Sequence, residues 1–155
     1  MKIVQLEIKY NVLKRIKGNI NNKEYRYLLL ISKSSISKYL LSTILNDKTV
    51  NKDSSFYIDS RFIKDQHSEE YTLKILNKVQ LQMKQNKVLI LTDLESVYSA
   101  LYKLFAQNFT VINQKNYACI AGNFNNTFSL VNDNFKCIIL VDQNVIDIEN
   151  PHFLL

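Results

Sequence analysis

RYLLLIS at residues 26–32, followed by KSSISKYLLSTIL at residues 33–45, is the stretch that decides the fold. The first run is apolar without alternation, the pattern of a strand buried on both faces, as in a parallel sheet. The second places Ile36, Tyr39, Leu40 and Ile44 along one side of a helix that starts near Ser34 or Ser35. In nucleotide-binding α/β domains the turn between such a strand and helix is rich in glycine. Backbone N–H groups close around phosphate there, and Cβ atoms obstruct that approach. This turn has no glycine. Further along, KVLILTDLE at residues 87–95 puts acidic residues at the end of a second apolar strand. The chain thus reads as an NTPase-type module without its phosphate loop, suited to a structural part of a larger machine.

The remaining segments fit an alternation of strands and helices. Residues 1–18 have a mixed apolar period and read as a strand followed by a short helix, and residues 19–24 (NINNKE) as a polar loop. The strand over 25–32 is followed, after the helix, by a polar stretch at 46–55 and a short strand at 56–58. Ser68 is a good helix N-cap, with Glu69 and Glu70 favourable in the first turn. That helix is expected to run to about Gln85 with Tyr71, Ile75, Leu76, Val79 and Met83 on its buried face. Residues 87–92 form the next strand. Residues 96–107 form one more amphipathic helix with Val97, Leu101, Leu104 and Phe105 inward. Residues 109–112 and 117–120 read as a small insertion of strands, 123–127 as a turn-rich link, and 135–141 as a last buried strand. The pattern argues an α/β fold with a mainly parallel sheet flanked by helices.

Length and composition bound the rest. A chain of 155 residues with 46% hydrophobic content holds a single domain with a real core. Two glycines and one proline are few, since average usage gives roughly ten and eight. The abundance of Asn, Lys, Ile and Tyr beside them suits an AT-rich genome. The net charge of +6 is concentrated near the start, at Lys2, Lys9, Lys14, Arg15, Lys17, Lys23 and Arg26. No Arg-rich run interleaved with aromatics accompanies it, so a solvated helix face accounts for it and no nucleic-acid partner is expected. Cys119 and Cys137 are too few and too far apart for a metal knuckle or redox pair, and Cys137 sits in an apolar run as a core residue. No apolar stretch is long enough for a transmembrane helix, and no secretory signal is visible, so the default location is cytoplasmic. The apolar ending Phe153-Leu154-Leu155 reads as a chain cut within a domain.

Three groups carry candidate chemistry, none of them catalytic and none a metal site. At the strand end Thr92-Asp93-Leu94-Glu95, Asp93 and Glu95 occupy the place where a P-loop NTPase keeps its Mg²⁺-orienting and water-polarising acids, although Leu94 separates them. The same residues also spell a capping box, Thr92-x-x-Glu95. Lys33, Ser34 and Ser35 could contact a phosphate, but the N-cap role is the better account of the serines. Asp142 ends the strand at 135–141, where such folds sense a γ-phosphate and where any sheet meets solvent. His67 and His152 are isolated, and Tyr98 and Tyr102 at i, i+4 read as a packing face.

The order of these segments resembles the mysterin family of giant cytosolic RING-finger E3 ubiquitin ligases, which carry a dynein-like AAA+ core. Five stretches support the resemblance: YRYLLLI at 25–31, KDQ at 64–66, KVLILTDLESVYSAL at 87–101, NFKCIILV at 134–141 and PHFLL at 151–155. The most specific run is LESVY at 94–98, then Leu101-Tyr102 and Gln107-Asn108-Phe109. The resemblance implies a P-loop NTPase-like (AAA+) fold, truncated, corresponding to a late AAA module, the fifth, that lacks a working phosphate loop. It divides the chain into an N-terminal segment at 1–24 and a partial, degenerate AAA+ module at 25–155. Asp93, Glu95 and Asp142 would then be a vestigial nucleotide site. No cofactor is implied for this segment, while ATP and Mg²⁺ would serve other modules. The implied partners are neighbouring AAA modules of the same chain and, through the whole protein, the ubiquitin machinery. An active Mg-ATP-dependent module and a small stand-alone interaction domain are the alternatives.

Overall fold

The computed structural model describes residues 2–5, 11–32, 41, 55–59, 68–92, 94–121 and 126–143, with the backbone alone at 2–5, 11, 55–59, 95 and 96. In chain order the elements are β1 (Lys2–Gln5), α1 (Asn11–Asn21), β2 (Tyr27–Ser32), β3 (Ser55–Asp59), α2 (Glu69–Met83) and β4 (Val88–Thr92). There follow α3 (Glu95–Tyr98), a 3₁₀ turn (Ser99–Leu101), α4 (Tyr102–Phe105), β5 (Phe109–Ile112), β6 (Lys115–Ile120), β7 (Thr127–Val131) and β8 (Lys136–Asp142). Five strands form a wholly parallel sheet in the order β1-β2-β8-β4-β3. Strands β5, β6 and β7 make a separate antiparallel sheet.

The three central strands are the apolar runs, and their alternating side chains feed two cores. Leu28, Leu30, Val88, Ile90, Ile138 and Leu140 face one way, against Ile16 and Ile20 of α1 and against Leu41. Leu29, Leu89, Leu91, Cys137, Ile139 and Val141 face the other way. There they meet Ile75, Leu76, Val79 and Met83 of α2, then Val97, Leu101 and Leu104, and finally Ala118, Ile120 and Val131 of the small sheet.

Right-handed crossovers explain this division. From β1 to β2, and again from β2 to β3, the chain moves toward the β3 edge, and α1 and Leu41 lie on one face. From β3 to β4 and from β4 to β8 it moves back, and α2, α3, α4 and the small sheet lie on the opposite face.

Helix α2 begins as its sequence requires. Ser68 is extended (φ −86°, ψ 133°), and its hydroxyl accepts from the Tyr71 N–H at 3.1 Å. Its expected buried positions are the observed ones, with Tyr71 half-buried.

Elsewhere the structure departs from the sequence reading. The expected loop at 19–24 is shortened, because α1 continues to Asn21 and buries Ile20. The single helix expected over 96–107 is three short pieces. The Ala100 carbonyl within them accepts from the Ala121 N–H at the end of β6 (3.1 Å), which draws it out of the helical ladder. Strand β7 was not expected. Its exposed Thr127 and Phe128 deny it an unbroken apolar run. The helix expected after β2 lies outside the described residues except for Leu41, which is helical and buried.

Candidate functional site

In an open parallel sheet, ligands bind outside the carboxyl ends of the strands, where successive connections leave for opposite faces. Here that point lies at the ends of β2, β8 and β4, since the connection after β2 crosses one face and the one after β4 crosses the other. Three polar residues end these strands: Ser32, Asp142 and Thr92. Their even spacing from Leu30, Leu140 and Ile90 puts all three on the face that carries α1. Ser32 is in register with Asp142, and the Gln143 N–H donates to the Ser32 carbonyl at 2.9 Å. Thr92 is level with Leu140, two residues short of Asp142 on the neighbouring strand, and is wholly buried. Asp142 is half-buried.

The edge therefore holds two buried hydroxyls and one half-buried carboxylate, and Ser32 leads straight into Lys33-Ser34-Ser35. A phosphate cradle needs backbone N–H groups on a chain that can approach closely, and no glycine stands between residues 19 and 121 to allow it. Among the described residues no three His, Cys, Asp or Glu side chains cluster as a metal would require.

Of the expected site residues, Asp142 stands at the carboxyl edge, as the final residue of β8. Asp93, Lys33, Ser34, Ser35, His67 and His152 lie outside the described residues. Glu95 opens α3, and only its backbone is described. The capping box is corrected. Thr92 stays in β4, paired level with Asp59, and the N-cap of α3 is Leu94, which makes no side-chain cap bond. Instead the Tyr98 hydroxyl accepts from the Leu94 N–H at 3.4 Å. Tyr98 is buried and Tyr102 exposed, so the tyrosine pair divides between core and surface. Ser32 went unread as a site residue, because a hydroxyl ending an apolar run looks like ordinary punctuation.

The opposite, amino-terminal edge is also organised. Lys136, the first residue of β8, is buried, and its ammonium donates to the carbonyls of Asn19 (2.9 Å), Tyr25 (2.6 Å) and Asn22. Helix α1 has no basic residue in its last turn, so a lysine from a distant strand bonds the Asn19 carbonyl there and balances the negative end of its dipole. Beside it Arg26 donates to the Asn132 carbonyl (3.3 Å) and to Asp133 (3.5 Å), and its guanidinium lies 5.7 Å from the centre of the Phe109 ring. Lys136, Arg26 and Asp133 border a cavity of about 320 Å³.

The sequence model of the RNF213 AAA domain matches residues 17–155. The human E3 ubiquitin-protein ligase RNF213 is 25% identical over 131 residues, which cover 83% of this chain. That stretch spans only 2% of the human protein's length. No helix among the described residues is long and apolar enough to cross a membrane. The parallel α/β sheet, its two-faced helical cover and the match across most of the sequence agree, and the chain belongs to the RNF213 AAA domain family.

Proposed function

We propose that this chain is a non-hydrolysing, structural AAA+ module of an RNF213-like ubiquitin ligase. Its role is to pack against neighbouring AAA modules of the same polypeptide and to pass on shape changes driven by ATP and Mg²⁺ bound elsewhere, toward ubiquitin transfer by the whole protein in the cytoplasm. The observation that carries this reading is the strand-to-helix junction after Ser32, which enters Lys33-Ser34-Ser35 without a glycine. A module that cannot close its backbone around a β,γ-diphosphate has no means of positioning it for attack. Asp93, Glu95 and Asp142 are then remnants of a nucleotide site, and Ser32 and Thr92 end strands at the same edge as Asp142.

The test is titration of the 155-residue chain with a fluorescent ATP analogue, with and without Mg²⁺. The expected result is no Mg²⁺-dependent saturation up to about 1 mM, a very weak affinity. Saturable, Mg²⁺-dependent binding that disappears in Asp93→Asn, together with release of inorganic phosphate from ATP, would refute the proposal in favour of the active ATPase reading.

A further inference from the structure

The cavity at the amino-terminal edge lies at the far end of the strands from the nucleotide edge, about 20 Å away for strands of this length. Lys23, Arg26, Lys136, Asn86, Asn134 and Asp133 border it. Three of these are cations and one is an acid. Its volume of about 320 Å³ lies at the lower end of the range for small-molecule sites.

We propose that this cavity binds a compact oxyanion, a phosphate or carboxylate group on a small molecule. The negative carboxyl-terminal end of α1 would ordinarily repel an anion here, but the Lys136 ammonium offsets it, bound to the Asn19 carbonyl in the last turn and to the Asn22 and Tyr25 carbonyls just beyond. That leaves Arg26 and Lys23 to set the sign of the cavity. Two of the five N–H groups of the Arg26 guanidinium are engaged, by a carbonyl at 3.3 Å and a carboxylate at 3.5 Å. Both contacts are long for a charged donor. Asp133, whose side chain is 84% exposed, is the weak internal occupant of the arginine, and an incoming oxyanion would displace it. The Phe109 ring lies 5.7 Å from the guanidinium carbon, and Asn86 adds a neutral polar group to the lining.

The test is calorimetric titration of the chain with pyrophosphate and, separately, citrate, at ionic strength fixed with sodium chloride. Saturable binding at or below about 1 mM is expected for at least one of them. Lys23→Gln should weaken it about threefold to fivefold, and Asp133→Asn should tighten it by a similar factor. Lys14→Gln, which removes an exposed charge on α1 away from the cavity, should leave it unchanged. Binding of pyrophosphate alone marks a phosphate ligand, and of citrate alone a carboxylate ligand. Absence of saturation up to about 10 mM, or equal weakening in Lys23→Gln and Lys14→Gln, overturns the proposal. The outcome is separable from the nucleotide edge, because binding here is independent of Mg²⁺ and indifferent to Asp93→Asn.

Discussion

Replacing Lys136 by methionine keeps the length of the side chain and removes its ammonium. Three carbonyls then lose the ammonium as donor: Asn19 in the last turn of α1, which keeps the Asn22 N–H (3.2 Å), and Asn22 and Tyr25 in the connection to β2. A hydrogen bond to a charged group contributes about 1.5–3 kcal/mol, so three additive bonds would contribute about 4.5–9 kcal/mol. They are not additive, because one nitrogen serves all three. Tyr25 is exposed and Asn22 half-buried, so water can reach that segment in the variant. Relief from burying the charge returns a further part. The expected net loss is about 2–4 kcal/mol. Urea unfolding measures it as a lower midpoint at unchanged slope. Amide exchange should show the damage locally, as faster exchange over the last turn of α1. Lys136→Arg should also destabilise, since a planar fork cannot point at three carbonyls as a tetrahedral ammonium does. A Lys136→Met protein within about 0.5 kcal/mol of the parent, with unchanged exchange in α1, would refute the clamp.

Four further outcomes are expected. The Tyr27 hydroxyl is buried without a hydrogen-bond partner, so Tyr27→Phe should raise stability by about 1 kcal/mol in the same urea assay, and a loss would show that the hydroxyl is satisfied. Burial pushes the Cys137 thiol well above its ordinary value, and it does the same to the Tyr27 phenol, helped by Cys137 and opposed by the Arg26 charge. The unfolded chain then releases protons that the folded chain keeps. Stability should be full below the ordinary thiol value and fall above it, by about 1.4 kcal/mol per pH unit per group; Cys137→Ala should flatten the fall between pH 9 and 10, and an unchanged slope would exclude the thiol as its source. Gly18 lies inside α1 with open space where a Cβ would go, so Gly18→Ala should stabilise by about 1 kcal/mol, seen as a higher melting temperature. Gln107 has φ 56° where α4 ends: its N–H bonds the Leu104 carbonyl (3.1 Å) and the Asn108 N–H the Lys103 carbonyl (3.0 Å), which is the closing pattern that favours glycine. Gln107→Gly should gain about 0.5–1 kcal/mol, and a lower melting temperature would sink that reasoning.

What was legible in the sequence is what burial alone enforces. Strands β2, β4 and β8 are covered on both faces, so they had to be unbroken apolar runs. Helix α2 announces itself through Ser68 and its inward stripe because its cap and packing are local. The order of strands was not legible, since β8 enters between β2 and β4 through pairings far apart in sequence. Strand β7 was lost because one of its faces is left to solvent at Phe128. The capping box misled because Thr92 and Glu95 satisfy a local rule, while three-strand pairing holds Thr92 in the sheet. Asp142 was legible as the end of its strand, but its neighbour Ser32 became visible only through the register of β2 with β8. Lys136 went unremarked within the strand expected at 135–141, because its partners depend on where α1 ends.

The two ends of the sheet divide the chemistry in a way the family membership alone does not suggest. At the carboxyl edge, where a nucleotide would bind, side chains supply hydroxyls and a carboxylate, and the chain offers no glycine to bring backbone donors close. At the amino-terminal edge, Lys136 and Arg26 tie α1, β2, β8 and the turn before β8 into one cluster. A parallel strand is a stiff connector between its ends, because ladder bonds and packing on both faces hold it along its length. A load applied to α1 by a neighbouring module would therefore reach β8 through Lys136 directly, without involving the nucleotide edge. On the proposed reading of the chain as a module that transmits shape, Lys136→Met is the perturbation that would weaken this link between α1 and β8.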